Sequence, residues 1–271
     1  MLKKRIIPML LLSNARMVKG KQFIQFRDTG DPVSAARIYN AQNADELFFL
    51  DIDANRAGSS FEVLEATVKR VAAECFMPLT VGGGIDSVEK IQRLLLAGAD
   101  KVAITTAAFT DPDLINRAAT LFGRQCIVVG LDVKKKTSSL LPFTGEGARR
   151  ADEGNYALHT HCGTQPSPRT LRDVVLDMTE RGAGEFLVHA IGNDGMMSGY
   201  DLAVVNEVKG YTDRPLIVAG GAGTFMHLVD AFKEAHVDAV ACASLFHFGD
   251  NNPIRARSYL LNQGIPMKLT K

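Results

Sequence analysis

The amino-acid sequence predicts an α/β fold, a single phosphate-binding (β/α)₈ TIM barrel domain over residues 1–271 with a two-fold half-barrel repeat. Eight short apolar runs alternate with amphipathic segments, and most of these segments end near a glycine. Runs of nearly continuous apolar residues are typical of parallel strands covered on both faces. Eight such units joined by short turns favour a closed barrel over an open sheet.

The predicted strands start almost at the N-terminus. Its basic, apolar opening is similar to a secretory signal, but the apolar run covers only residues 6–12 and no small-residue cleavage site follows. We therefore interpret it as a buried first strand. The eight predicted strands are 5–12, 46–52, 78–81, 101–105, 126–133, 185–191, 215–219 and 239–243. The clearest helical patterns between them are 61–75, 88–97, 111–122, 171–181 and 226–235.

The two halves of the chain repeat one pattern. The turn Gly82-Gly83-Gly84 in the first half is matched by Gly220-Gly221 in the second. From Gly83 to Thr106 is 23 residues, and from Gly221 to Ser244 is also 23 residues. A glycine turn followed at one fixed distance by a hydroxyl at the next strand end predicts a duplicated half-barrel.

These glycine turns are candidate phosphate sites. Glycine lets the backbone approach an anion, and the helix that follows begins with unpaired N–H groups. Thr105, Thr106 and Ser244 would add hydroxyl donors at neighbouring strand ends. The structural alternative is that the glycines only form tight turns. Two related copies favour phosphate binding, and two sites suit a small-molecule ligand with a phosphate at each end.

Carboxylates stand where several predicted strands end. Asp51 and Asp53 close the second strand, Asp132 closes the fifth, and Asp194 follows the sixth. Active sites of (β/α)₈ barrels lie at the carboxyl ends of the strands, so these groups are candidates for proton exchange with a substrate. The alternative is that each caps a helix or a loop.

Four charged residues stand at the opposite ends of predicted strands. Arg5, Glu46, Lys101 and Glu185 begin strands one, two, four and six. Their signs can alternate around the lower rim of a barrel, where charged residues usually serve stability. Position alone therefore predicts a structural salt-bridge cluster.

Residues 134–169 form a long, polar segment after the fifth strand, on the predicted active-site face. Loops of this length are usually lids or binding loops, although a passive insertion is the alternative. The 31 basic and 30 acidic residues give no excess charge for nucleic acid or a membrane surface. The four cysteines are far apart, which predicts reduced thiols in a cytoplasmic protein without a zinc site. No metal and no cofactor is expected.

Over residues 1–134 and 156–250 the chain resembles the cyclase (HisF-type) subunit of imidazole glycerol phosphate synthase. The segments that carry the resemblance are KRIIPMLLL, DELFFLDIDA, PLTVGGGI, GADKVAITTAA, RGAGEFLVHAIGNDGMMSGYD, LIVAGGAG and ASLFHF. The resemblance implies a barrel with two phosphate sites, an ammonia path along its centre, and a glutaminase subunit docked on the N-terminal face.

The resemblance also assigns roles residue by residue. Gly83, Gly84 and Thr106 match one phosphate site, and Gly195, Gly221, Ala243 and Ser244 match the other. Arg5, Glu46, Lys101 and Glu185 match a charged gate at the ammonia entrance, which replaces the purely structural interpretation. Lys19 matches a residue near the substrate loop, and Asp100 matches one at the glutaminase face.

One catalytic position departs from the cyclase pattern. The cyclase uses two aspartates, of which Asp132 matches the second, whereas the first position holds Leu11. An isobutyl group cannot transfer a proton, and such groups contribute about 10²–10⁴-fold to rates. Thr105 also replaces the usual Asn. The cyclase reaction should therefore be severely impaired.

The pattern around Leu11 and the segment YALHTHCGT at 156–164 look more like a HisF-like branch of the family. That branch is associated with acetamidino groups on surface-polysaccharide sugars, and a separate ATP-dependent amidotransferase is thought to use its ammonia. The leading hypothesis is thus an ammonia-channelling barrel subunit. The alternatives are a true cyclase of histidine biosynthesis that tolerates Leu11, and a catalytically silent scaffold that binds a bisphosphate ligand.

Overall fold

Twelve strands and ten helices follow one another along the part of the chain that the computed structural model describes, which is residues 3–54, 60–136 and 155–268. The strands are β1 Arg5–Ser13, β2 Arg16–Lys21, β3 Ile24–Gly30, β4 Leu47–Asp51, β5 Leu79–Gly82, β6 Lys101–Ile104, β7 Ile127–Lys135, β8 Tyr156–Thr160, β9 Gln165–Pro166, β10 Glu185–Ala190, β11 Leu216–Ala219 and β12 Ala239–Cys242. The helices are α1 Pro32–Ala41, α2 Phe61–Ala72, α3 Val88–Leu96, α4 Thr106–Thr110, α5 Asp113–Phe122, α6 Leu171–Arg181, α7 Leu202–Lys209, α8 Phe225–Lys233, α9 Ser244–His247 and α10 Pro253–Asn262.

Eight of these strands close into a parallel barrel, which confirms the predicted fold class. The ring runs β1, β4, β5, β6, β7, β10, β11, β12 and back to β1. The eight predicted strands coincide with these eight to within a few residues at each end. The two predicted glycine turns have the same backbone conformation at their central residue, since Gly83 and Gly221 have φ angles of 119° and 121°.

Six of the ten helices in the described residues begin at a side chain that satisfies a free backbone N–H group. Asp31, Ser87, Thr170, Asp201, Thr224 and Asn252 accept hydrogen bonds from the backbone three residues on, at the starts of α1, α3, α6, α7, α8 and α10. These caps fix where each connection ends.

Two hydrophobic layers hold the barrel together. The larger lies between the strands and the surrounding helices, and it includes Leu10, Phe49 and Phe186. The smaller fills the barrel interior with alternate residues of the strands, as is usual for this fold. Its members are Ile7, Met9, Phe48, Ala103, Val128, Leu187, Ile217, Ala219, Ala239 and Ala241, with Leu50 packed against them.

Two features of the active-site face differ from the predicted layout. An antiparallel hairpin of β2 and β3 extends from β1 where no strand was predicted. The predicted long loop 134–169 is partly strand, because β7 continues to Lys135 and pairs with β8. The ladder persists because Val133 packs opposite Leu158 in the core. Residues 137–154 of that predicted loop lie outside the described part of the chain. In the described residues, no helix has the length and apolar character needed to cross a bilayer.

Candidate active site

A pocket of about 190 Å³ opens at the carboxyl ends of the barrel strands. We call it the main pocket. Its floor is apolar and its walls carry the glycine turn after β5 and several polar side chains. Its lining includes Leu11, Leu50, Asp51, Gly82, Gly83, Gly84, Thr105, Thr106, Asp132, Cys162 and His189. The structure thus brings together most of the residues predicted for the first phosphate site and for catalysis.

The glycine turn after β5 approaches the end of β4 more closely than any side chain would permit. A Cβ atom on Gly83 would lie 2.5 Å from the carbonyl oxygen of Asp51, and one on Gly84 would lie 2.8 Å from Cβ of Ala54. Both glycines also have positive φ angles. The neighbouring Thr106 begins α4, and its hydroxyl accepts a hydrogen bond from the backbone N–H of His161 at 3.0 Å.

The second glycine turn lies beside a separate, smaller cavity. Ala243 caps α9 with φ −115° and ψ −78°, which closely match the −111° and −76° of Thr105 before α4. The cavity measures only about 10 Å³, and its lining includes Asp194, Gly195, Gly221, Ala243 and Ser244. That space is close to the volume of one water-sized probe. The predicted residues of the second site are together, but a phosphate needs a wider opening there.

Asp132 lies on the wall of the main pocket with an unusual ionisation. The pKa of its carboxyl is raised to about 6, chiefly by burial, which His189 partly opposes and the nearby Asp194 carboxylate reinforces. A carboxyl with a pKa near neutrality is suited to proton transfer. This position therefore fits the catalytic role predicted for Asp132.

A buried chain of polar groups continues from Asp132. Nδ1 of His189 lies 3.9 Å from Oδ1 of Asp132, and Nε2 lies 3.3 Å from Oδ1 of Asp194. Nζ of Lys19, on β2, lies 2.8 Å from both carboxylate oxygens of Asp194. Burial raises the pKa of Asp194, but the hydrogen bonds and charges of His189 and Lys19 lower it more, so it lies below its usual value. Lys19 is thereby fixed at the second site by a buried ion pair.

The wall opposite this chain is apolar. Leu11 on β1 is the register partner of Leu50 on β4, and both line the main pocket. Leu11 is only 4% exposed. Asp51, next along β4, accepts a hydrogen bond from the backbone N–H of Asp53, and burial raises its pKa. Asp53 itself accepts from the Ser13 hydroxyl at 2.6 Å and lies outside the lining of the main pocket.

The four charged residues at the strand starts form one closed network, which we call the charged ring. Arg5 contacts Glu46 at 2.8 Å and Glu185 at 2.6 Å, and Lys101 contacts the same two carboxylates at 3.1 and 2.7 Å. Burial raises the pKa of Glu185, but Arg5 and Lys101 lower it more, so it lies below its usual value. Thr80 donates a further hydrogen bond to Glu46 at 2.6 Å.

Asp100 lies beside the charged ring, at the N-terminal face where the resemblance places it. Its carboxylate accepts a hydrogen bond from the backbone N–H of Leu79 at 2.8 Å. Asp238 makes the equivalent bond to Leu216 at 3.0 Å in the second half-barrel. The contact therefore holds the barrel rim together, whatever else the exposed part of Asp100 binds.

Sequence reasoning missed His189, Phe23 and Cys162, all of which line the main pocket. The ring of Phe23 packs edge-on against His189 with centroids 4.7 Å apart. The alternation of Glu185, Leu187 and His189 along β10 was the available signal, because every second residue of a barrel strand points inward. Phe23 belongs to the unpredicted hairpin. No group of three or more potential metal ligands occurs among the residues that the structure describes.

The sequence model of a family described as histidine biosynthesis protein matches residues 5–252. The match includes the main pocket, the second glycine turn and the charged ring.

Proposed function

The chain belongs to the histidine biosynthesis protein family, and on this premise we propose that it is the barrel subunit of a glutamine-dependent amidotransferase system. A glutaminase on the N-terminal face releases ammonia, which passes along the barrel axis to the main pocket. A separate ATP-dependent enzyme then uses the ammonia to form an acetamidino group on a surface-polysaccharide sugar. The family comprises TIM-barrel enzymes of the isomerase and cyclase type.

The observation that carries this proposal is Leu11. It stands at the position of the cyclase's first catalytic aspartate, within the main pocket and next to Leu50. A charged group in this apolar setting would lose hydration at a cost in free energy, which the leucine avoids. The pocket thus keeps Asp132 and lacks the second carboxylate that the cyclase reaction uses.

The charged ring supports an ammonia entrance at the N-terminal end of the barrel. Removing four charges from water costs free energy that their mutual attraction only partly offsets. In the described residues, the ten members of the interior layer are all apolar, and two of them, Ala103 and Leu187, also line the main pocket. An apolar interior favours a small neutral molecule such as ammonia over an ion, because an ion would lose its hydration.

The glycine turns support a phosphorylated ligand at the active-site face. Gly83, Gly84 and Thr106 line the main pocket, so one phosphate has direct access to them. At the second turn, Asp194, which is paired with Lys19, lines the small cavity beside Ser244. A ligand with two phosphates would therefore have to widen this cavity.

Asp132 also favours a second candidate, the cyclase of histidine biosynthesis. In that function, ammonia and a phosphoribulosyl substrate give imidazole glycerol phosphate and an aminoimidazole carboxamide ribotide. The raised pKa of Asp132 suits one of the two proton transfers. Because Leu11 cannot ionise, the other proton transfer has no donor or acceptor at that position.

An assay with the cyclase substrate and free ammonia distinguishes the two functions. We expect turnover at least about 10²-fold below that of a working cyclase, because one acid–base group is missing. Leu11→Asp should recover part of the activity, and Leu11→Met, which keeps an apolar side chain, should recover none. Normal turnover by the unmodified protein would establish the cyclase function and refute ours.

A further inference from the structure

His189 occupies a confined place between two carboxylates. It is only 3% exposed, and Asp132 and Asp194 lie on either side of its ring. Gly220 leaves room for the imidazole ring, because a Cβ atom at this residue would come within 3.0 Å of Cδ2 of His189. Phe23 packs on the ring from the hairpin side. The imidazole is therefore held on the pocket wall by contacts from several elements.

The contacts also decide which nitrogen carries the proton in the neutral ring. Asp194 is ionised, because Lys19 contacts both of its oxygens and its pKa lies below the usual value. Nε2 of His189 at 3.3 Å therefore donates to Asp194, and Nδ1 keeps its lone pair. That lone pair lies 3.9 Å from Oδ1 of Asp132. This distance is longer than a direct hydrogen bond, so a proton can pass between the two atoms only after a small movement or through one ligand atom.

We propose that Asp132 and His189 form a coupled acid–base pair that exchanges one proton with a ligand in the main pocket. Oδ1 of Asp132 and Nδ1 of His189 are the two sites of that proton. Asp194 and Lys19 are positioning residues, which fix the ring and its tautomer. The inference goes beyond the proposed function, because it holds for any ligand of the pocket and needs no glutaminase.

The opposite wall explains why the pair is placed on this side. Leu11 and Leu50 supply no ionisable group there. Asp51 lies on the same side as these leucines, and burial raises its pKa, but its Oδ1 is engaged by the backbone of Asp53. Among the carboxyls that line the main pocket in the described residues, Asp132 is the one with His189 at its side.

Other titratable groups face the pair from neighbouring elements. Asp194 raises the pKa of Asp132, and Lys19 offsets the charge of Asp194. His159 on β8 is the register partner of Asp132, and its Nδ1 lies 3.3 Å from the carbonyl oxygen of Ala157. The experiment must therefore follow Asp132 and His189 individually.

NMR of the intact protein follows the two groups separately, with a ¹³C titration of the Asp132 carboxyl and the ¹⁵N shifts of the His189 imidazole. The ¹⁵N shifts of His189 should show a neutral ring that carries its proton on Nε2 and keeps a lone pair on Nδ1. In His189→Gln, the pKa of Asp132 should rise by about one unit, because a nearby positive charge lowers a carboxyl pKa by about 1–3 units. His227→Gln is the matched control, since His227 contacts the backbone of Gly223 and does not line the main pocket.

Two results would refute the proposal that Asp132 and His189 form a coupled acid–base pair. One is an Asp132 titration that is the same in His189→Gln and in the unmodified protein. The other is a neutral His189 ring that carries its proton on Nδ1, which the unmodified protein alone reveals even if the variant does not fold. Neither result depends on glutaminase binding, so failure of this pair and failure of the proposed function are separate outcomes.

Discussion

Asp132 makes the stability of the protein depend on pH in a defined window. Its pKa is about 6 in the folded protein, above the ordinary 3.8. Between these two values the folded state holds a proton that the unfolded state has released. The contribution of Asp132 to stability should therefore be greatest below the lower value and should be lost as pH rises through about 6.

Replacing Asp132 with Asn tests this linkage, because an amide cannot ionise. At neutral pH, Asp132→Asn should raise the free energy of unfolding by up to about 3 kcal/mol, since each pKa unit corresponds to about 1.4 kcal/mol. Below the pKa of the unfolded carboxyl the gain should vanish. Urea unfolding across this pH range measures both limits, with Asp213→Asn, at an 88% exposed side chain, as the control. A pH-independent difference would contradict the assigned ionisation.

At the scale of single residues, sequence patterns predicted several residues that line the pocket but not the buried contacts that set their ionisation. Asp132, Asp51 and Gly83 were predicted because packing alone seldom requires an aspartate or a glycine where a buried strand ends. His189 was not predicted, because a histidine inside an apolar strand is also compatible with an ordinary core position. Its role depends on Lys19 and Asp194, which come from other elements and meet it only in the folded protein.

The turn after β5 should tolerate no side chain at Gly83. A Cβ atom there meets the Asp51 carbonyl at 2.5 Å, and the φ angle of 119° is strained for other residues. Gly83→Ala should therefore lower the free energy of unfolding by about 1–3 kcal/mol or more, measured by urea unfolding.

Two matched variants separate the causes. Gly264→Ala places a side chain at a positive φ in open space, and Gly249→Ala adds one in open space without that strain. We expect the loss of stability to decrease in the order Gly83, Gly264, Gly249. Equal losses at Gly83 and Gly264 would mean that the close approach to β4 has no energetic consequence.

Among the elements, the barrel strands were predictable and the hairpin was not. The predicted strand 185–191 matches β10 because nearly continuous apolar residues leave few alternatives. The segments RMVKGK of β2 and IQFRDTG of β3 hold seven polar residues among thirteen and no long apolar run. Their pairing relies on extension of β1 beyond the barrel, where Leu11 pairs with Val18. The same extension brings Phe23 and Lys19 to the site.

For the whole molecule, the charged ring has a measurable structural contribution. Lys101→Ala leaves Glu46 and Glu185 with one cation fewer in a partly buried setting. We expect a loss of roughly 3 kcal/mol in unfolding free energy. Lys69→Ala, at an exposed pair with Glu65, should cost at most about 0.5 kcal/mol. Equal costs in the two variants would show that the ring adds nothing to the barrel.

The proposed function requires a glutaminase that docks over the charged ring and delivers ammonia from that end. Hydrogen–deuterium exchange of the barrel, with and without a class I glutaminase from the same genome, locates the contact most directly. We predict a complex in which exchange slows around Asp45, Asp100 and Asp238, before the barrel strands, and is unchanged around Gly83 and Gly221. Absence of a complex, or protection confined to the face of the main pocket, would contradict the account.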